Sequence, residues 1–562
     1  MGRPILPPRR PGTDRRAFFR RSGGAAAVLA GAALLPLATR QVAAAADGGV
    51  FQHGVASGDP LHDRVILWTR ITPPAGQQRV RVAYVLARDP ALTDVVASGT
   101  LLTTAARDFT VKPDAAGLVP ATTYYYAFEA LGVRSPLGRT RTLPVGAVDR
   151  LRMAVTSCSN HPAGYFNAYA RIAERADLDL VLHLGDYLYE YGSNVYGSVR
   201  PAEPPTEIVT LADYRTRHAQ YKRDADLQAV HRQHPMIAIW DDHEVTNDAW
   251  QGGAENHTDG DEGTWPDRVA VAVQAYREWM PVRDRPLADP RRLQRAFRFG
   301  DLADIVMLET RLQARSEQLS ADIPVPGLGN VFVQAGEFLD PTRTLLGDRQ
   351  EAWLAARLRL SQATWKFIGQ QVMFAHLKAQ PAPLAAGGGA FLNADQWDGY
   401  QPARDRLYDV IRGTGGRRPI DNVVVLTGDI HSSWANDLTQ DPNNPDVSTG
   451  GYDPLTGDGS RAVEFVTTSI TSPGLNDPSG ATAAFVRSVN PHMKYVDFMR
   501  RGYLLVDATP ARVVAEWWHV DTVAVPDAGQ SLGAVFEVRE GQPRLRPSEA
   551  TLPRTDPPPL AP

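Results

Sequence analysis

Between Phe51 and about Leu143, apolar and polar positions alternate over short runs such as Val65-Ile66-Leu67-Trp68, Arg79 to Val85, and Thr123-Tyr124-Tyr125-Tyr126-Ala127-Phe128. A period of two over runs this short predicts strands, and their spacing predicts a small all-β Ig/fibronectin-III-like sandwich over residues 47–145. After Pro144-Val145-Gly146 the texture changes. Compact apolar runs (Met153 to Val155, Leu180 to Leu184, Met236 to Trp240, Val423 to Leu426) alternate with helical periodicity at 165–175, 267–280 and 349–360, which predicts an α/β domain over 146–522. Gly387 to Gly389 and 251–263 read as loops, and Lys366, Arg404 and Arg406 as charges on surface or helix faces. Residues 523–562 form a C-terminal extension. Its last 22 residues, from Gly541, hold seven prolines and are expected to be extended or mobile.

A length of 562 residues argues for at least two domains, since single cores stop growing near about 250–300 residues. With 43% hydrophobic and 22% charged residues the chain is globular in composition, and disorder is excluded. Residues 1–46 stand apart: Arg15-Arg16-Ala17-Phe18-Phe19 precedes a Gly/Ala/Leu stretch and Ala43 to Ala46, a pattern that resembles a Tat export signal. It predicts recognition by the Tat export machinery and a secreted or extracytoplasmic protein, with no transmembrane span in the mature chain. Eight arginines against one aspartate lie in this segment, so the remainder is more acidic than the overall net charge of −4. That balance disfavours specific nucleic-acid binding, which rests on phosphate neutralisation. Cys158 is the only cysteine, so no intramolecular disulfide forms.

Each of the four apolar runs leads into potential metal ligands: Cys158, then Asp186 and Tyr189, then Asp242 and His243, then Asp429 and His431. Singly, such residues are ordinary turn or core features. Together, at the carboxyl ends of strands along one sheet edge, they point to a polynuclear metal site. Thiolate and tyrosinate stabilise an oxidised iron, whereas oxygen-rich carboxylates suit Ca²⁺ or Mg²⁺. Asp259-Gly260-Asp261-Glu262-Gly263 lacks the spacing of a calcium loop and reads as solvated. No Gly-x-Ser-x-Gly elbow accompanies Ser157, Ser159, Ser432 or Ser433, so no covalent serine is expected.

His53-Gly54-Val55-Ala56-Ser57-Gly58-Asp59-Pro60, Trp240-Asp241-Asp242-His243-Glu244, Thr427-Gly428-Asp429-Ile430-His431-Ser432-Ser433-Trp434 and Asn490-Pro491-His492 stand in an order that resembles the PhoD-type alkaline phosphatase/phosphodiesterase family of calcineurin-like metallophosphoesterases. The resemblance spans Phe51 to about Asp521. It implies an α/β (α+β) metallophosphoesterase fold, a two-sheet β-sandwich core flanked by helices behind the Ig-like domain. It also implies one ferric iron (Fe3+) on Cys158, Asp186, Tyr189 and His431, with Asp186 bridging to one or two calcium ions (Ca2+) held by Asp242 and Asp429 and, more loosely, Asn247. The implied activity is phosphoester hydrolysis by in-line attack of a metal-bound hydroxide or oxide on phosphorus. His243 takes the role of leaving-group acid or charge stabiliser, with a hydrogen bond to Asp186 or Asp242 as its plainer role. Asn160 and His492 are expected to line the phosphate pocket, and Trp397, Tyr400 and Trp434 to pack. Substrates are small phosphoesters or phospholipid head groups. The alternatives are a secreted phospholipase D-type enzyme and a non-enzymatic adhesion protein with a vestigial phosphatase domain, the latter opposed by the full ligand set.

Overall fold

The computed structural model describes residues 49–284, 289–325 and 329–562. The export signal expected at 1–46 therefore lies outside the described residues. The alternating runs pair as strands: Arg79–Ala87 runs antiparallel to Val95–Thr104 and to Thr123–Ala130, which in turn pairs with Val133–Arg134 and Gly138–Arg141. These make a five-stranded sheet. The rest of the N-terminal region is not set apart from the α/β region as its texture predicts. Val55–Gly58 pairs antiparallel with Arg64–Arg70 on one side and parallel with Pro235–Ala238 on the other. It thereby joins an eleven-stranded sheet that also contains Leu151–Thr156 and Leu180–His183. Every residue of Val55–Gly58 is buried, so the strand lacks the solvent-facing positions that mark a free sandwich edge.

A seven-stranded sheet holds Ala303–Met307, Trp365–Gly369, Val423–Thr427 and Ala462–Val466 side by side and parallel. One apolar core draws on both large sheets, with Val155, Leu182 and Ile237 from the first and Phe367, Val424, Leu426 and Phe465 from the second. Each such side chain contributes about 1.5–3 kcal/mol on burial. The opposite face of the second sheet, through Ile368, Val423 and Val425, packs on Leu354 and Leu358 of helix Gly347–Leu360 and on Leu407 and Ile411 of helix Gln401–Arg412. Helices Leu211–Arg223 and Ala225–Gln233 escape the apolar pattern because their buried faces carry Arg217, His218, Gln220, Lys222 and His231.

The proline-rich end is extended but docked. Gln542–Pro547 pairs with Gln530–Arg539. Beyond it, Tyr125 Oη donates to the Pro559 carbonyl at 2.6 Å, and Gln233 bonds both the amide and the carbonyl of Ala561 at 2.9 and 2.8 Å. Prolines leave carbonyls without competing amides, and these donors use them. Arg404, expected on a surface face, is fully buried.

Candidate active site

The ligand-bearing loops do not converge along one sheet edge. Cys158, Asp186 and Asp242 follow the parallel strands Leu151–Thr156, Leu180–His183 and Pro235–Ala238 of the first sheet, whereas Asp429 and His431 follow Val423–Thr427 of the second. The site sits where the carboxyl ends of the two sheets meet. Backbone conformation there is unusual: Cys158, Asp186, Asp429 and His431 all have positive φ, between 54° and 62°. Strain of this kind, costing about 1–3 kcal/mol per residue, persists where surrounding contacts impose it. Two glycines permit the close approach. A Cβ on Gly185 would stand 2.4 Å from Asp241 Cβ, and one on Gly428 2.7 Å from Ser157 Cβ.

Donor atoms of Cys158, Asp186 and His431 lie within 4.8 Å of one another, as do those of Asp186, Asp242 and His243, and those of Asp241, Asp242 and Asp429. Tyr189 completes the first group, its hydroxyl donating to Asp186 Oδ2 at 2.9 Å and lying 3.0 Å from His431 Nε2. Ser472 Oγ holds that hydroxyl at 2.7 Å, and the other ring nitrogen of His431 lies 3.0 Å from the Pro473 carbonyl. Fixing one imidazole nitrogen in this way orients the other. Asp186 Oδ1 and Asp241 Oδ2 are buried with no hydrogen-bond partner among the described residues.

Carboxylates outnumber cations here. Arg311, fully buried, is the hub: it bonds Asp241, donates to Asp395 at 2.8 Å and to Asp429 at 3.0 Å, and lies 3.7 Å from Asp242. Arg315 also pairs with Asp395. Burial raises Asp429 to about 6 despite Arg311, and burial with the Asp395 charge raises Asp248 to about 8. At Asp242 burial acts the same way, but Arg311 and His243 outweigh it and hold the carboxyl below its ordinary range. Burial, then the Asp186 charge, pushes both the Cys158 thiol and the Tyr189 phenol upward. Added cations would oppose the upward shifts of Cys158, Tyr189 and Asp429 and deprotonate these donors.

His243 does not bond Asp186 or Asp242 through its ring. Its Nδ1 lies 2.6 Å from Glu190 Oε2, while Glu190 Oε1 accepts from the Asn247 amide at 2.8 Å. Burial opposes the imidazolium, yet Glu190 and Asp242 prevail and raise its pKa well above the usual value. Tyr189 packs against this ring at 4.1 Å between centroids, and Tyr191 and Tyr196 flank it. The Asn247 side chain donates to Glu255. Asn160 is buried beside the cleft, its amide on the Tyr196 carbonyl and its Oδ1 without a hydrogen-bond partner among the described residues.

His492 is not brought to the cleft. It lies buried with Nε2 3.0 Å from the His376 carbonyl, and burial lowers its pKa. A histidine beside a proline carries no sign of which face it takes, which is why its motif position misleads. Trp397, Tyr400 and Trp434 are buried packing residues. The 259–263 loop is tied down, with His257 on Asp259 and Arg268 on Glu262. Glu190, Glu244, Arg311, Asp395 and Arg501 are site residues that motif reading passes over. Glu244 binds the amides of Asp186 at 3.1 Å and Asp241 at 2.7 Å, tying two ligand loops together. Arg311 follows the strand Ala303–Met307, so the same strand-end rule, extended to a fifth strand, finds it.

Residues 153–517 match the PhoD-like phosphatase family, and residues 37–144 match the N-terminal domain of PhoD-like phosphatases. The chain belongs to the PhoD-like phosphatase family. This PhoD-like phosphatase is 37% identical over 515 residues to alkaline phosphatase D of Bacillus subtilis (strain 168), an alignment covering 89% of this chain and 83% of that protein. It superposes on the solved structure of PhoD with a TM-score of 0.79 at 36% identity, covering 91% of this chain and 94% of that one. It is thus a phosphoric ester hydrolase of a metal-dependent family, and its acidic and histidine clusters are suited to metal binding. Among the described residues no helix is long and apolar enough to cross a membrane.

Proposed function

We propose that the protein is an exported alkaline phosphatase and phosphodiesterase acting on small phosphoesters. The observation that carries this reading is the gathering of Cys158, Asp186, Tyr189, His431, Asp242 and Asp429 in one cleft, with two buried carboxylate oxygens lacking a hydrogen-bond partner among the described residues. Orphaned anionic oxygens are costly unless a cation meets them. The donor set fits ferric iron at Cys158, Asp186, Tyr189 and His431, and calcium at Asp186, Asp242 and Asp429, with Asn247 outside the set while its amide serves Glu255. Such cations, when bound, make water acidic enough to be a nucleophile and neutralise phosphoryl oxygens.

The chain's own residues supply the remainder. Glu190 holds His243 through Nδ1 and keeps it protonated, which leaves Nε2 to give a proton to the departing alcohol. Arg501 has no carboxylate within ion-pair distance among the described residues, and its guanidinium lies beside Gly474, next to the His431 carbonyl. It provides a cation for a phosphoryl oxygen at the rim of an acidic cleft. Tyr191 and Tyr196 form a wall on which an organic leaving group rests. The twin-arginine pattern at the N-terminus favours export through the Tat pathway to an extracytoplasmic location. The test is the initial rate on an aryl phosphodiester and the matching monoester with calcium-supplied, iron-containing protein. Turnover of either ester that chelation abolishes and calcium restores is expected; unchanged turnover after full chelation refutes the metal reading, and inertness toward both refutes the activity.

A further inference from the structure

Outside the cleft, a cavity of about 220 Å³ is lined by Arg277, Arg283, Arg292, Arg295 and Arg349, with Trp353 on one wall. None of the cleft residues lines it. Five guanidinium side chains around so small a space are unexpected in a chain that is acidic beyond its first 46 residues. Some are neutralised: Asp59 pairs with Arg295 at 3.1 Å, and Asp114 pairs with Arg283. Asp284 lies 4.0 Å from Arg277 but is shared with Lys112 at 2.8 Å and Arg107 at 3.6 Å. Arg292 and Arg349 have no carboxylate within ion-pair distance among the described residues, and Arg292 Nε is buried with no hydrogen-bond partner. Arg349 stands in the first turn of helix Gly347–Leu360, whose N-terminal end adds positive potential. The cations therefore exceed the carboxylates that face them, and a buried guanidinium nitrogen is left to be satisfied.

We propose that this cavity is a second anion site, which takes a tetrahedral oxyanion of the phosphate class and is distinct from the hydrolytic cleft. Arg277, Arg283 and Arg295 spend their donors on carbonyls and carboxylates of the protein, so they supply charge, while the forks of Arg292 and Arg349 select such an anion, and the volume admits one. Binding there needs no metal, because the recognising groups are guanidiniums.

The test is calorimetric titration of the full-length, metal-loaded protein with inorganic phosphate. The wild-type chain should take up two phosphates, and R292Q/R349Q only one, with kcat/KM unchanged. Excess sulfate should displace the phosphate that the double variant fails to bind. R349E, an exposed position, serves if the double variant does not fold, and should weaken that binding by about tenfold or more. Equal phosphate uptake by the wild type and R292Q/R349Q overturns the proposal, whereas one phosphate in the wild type and none in the double variant supports it and instead faults phosphate binding in the cleft.

Discussion

Two buried arginines of this molecule sit in clusters that look alike and behave oppositely. Arg404, on helix Gln401–Arg412, donates to Asp398 at 2.7 Å and lies 2.8 Å from His376 Nδ1, while the second Asp398 oxygen accepts the Leu377 amide at 2.8 Å. One guanidinium faces one carboxylate, and the histidine is held neutral, lowered to about 4 by burial and by Arg404. Arg311 is just as buried but faces Asp241, Asp242, Asp395 and Asp429 together, with Asp186 close behind them. The first cluster is closed, its charges balanced within the fold. The second is open: it carries more negative charge than the protein neutralises, and that deficit, rather than burial or ion pairing as such, separates a binding centre from a structural lock.

The strongest way to break the comparison is to relieve the deficit. Asp186→Asn should lower kcat/KM by about a thousandfold or more, since this carboxylate belongs to two of the donor groups. In metal-stripped protein the same change should raise the melting temperature, because it removes a carboxylate from a crowd of them. Steady-state kinetics and thermal melts of the metal-free form check both halves; an active variant whose metal-free form melts below the wild type would mean that the cluster is closed after all.

The closed cluster should answer in the reverse sense. Asp398→Ala leaves Arg404 buried and uncompensated, at a cost of about 3–5 kcal/mol of stability. The folded fraction should keep its wild-type kcat, and denaturant melts with activity assays read the two effects separately. The neutral histidines extend this to pH. Burial lowers His183, His218 and His234 to about 3, and His376 to about 4, from the usual 6.5. The unfolded chain therefore binds protons first, so stability is complete above about 6.5 and falls as the pH drops toward 3. Melting temperature measured across that window should decline steadily.

A smaller effect tests how the cleft holds its acid. Glu190→Gln keeps a hydrogen-bonding side chain beside His243 but removes the charge that favours the imidazolium. Turnover should fall about tenfold to hundredfold with little change in KM. Equal losses in KM and kcat would make Glu190 a packing residue.

How much of this was legible in the sequence follows from the same distinction. Strand-end ligands announce themselves because a short apolar run followed by Asp, His or Cys is a local pattern, and Cys158, Asp186, Asp242, Asp429 and His431 are found that way. What the pattern cannot tell is which sheet a strand joins. The loops at Asp429 and His431 come from the second sheet, and Val55–Gly58 belongs to the same sheet as Pro235–Ala238. Pairing at such separations depends on faces that only the folded core defines. Charge balance is equally non-local. Arg404 reads as a surface charge because nothing near it in sequence shows that His376 and Asp398 will enclose it, and Asp395 follows only the short strand Gly389–Phe391, which belongs to neither large sheet. His492 fails for a related reason, since a motif position fixes order along the chain and not direction of the side chain.

Arg501 gives the finest test, because it falls in neither class. It is half-buried near Tyr196, Tyr189 and Cys158, and burial lowers its pKa, opposed first by Tyr196 and then by Asp497. Its one protein hydrogen bond among the described residues is from Nη1 to the Met499 carbonyl at 2.7 Å. Its neighbour Arg500 is instead paired with Asp497 at 2.6 Å. If pairing state decides what a guanidinium does, the two adjacent arginines must differ. Arg501→Ala should raise KM for a phosphoester about tenfold while stability stays within about 0.5 kcal/mol, and Arg501→Lys should recover part of the loss by restoring charge without the fork. Arg500→Ala should change neither KM nor kcat, because an exposed, already paired arginine has no charge left to offer the substrate. A rise in KM for Arg500→Ala equal to that for Arg501→Ala would show that the general field of the rim, and not one unpaired guanidinium, receives the phosphate.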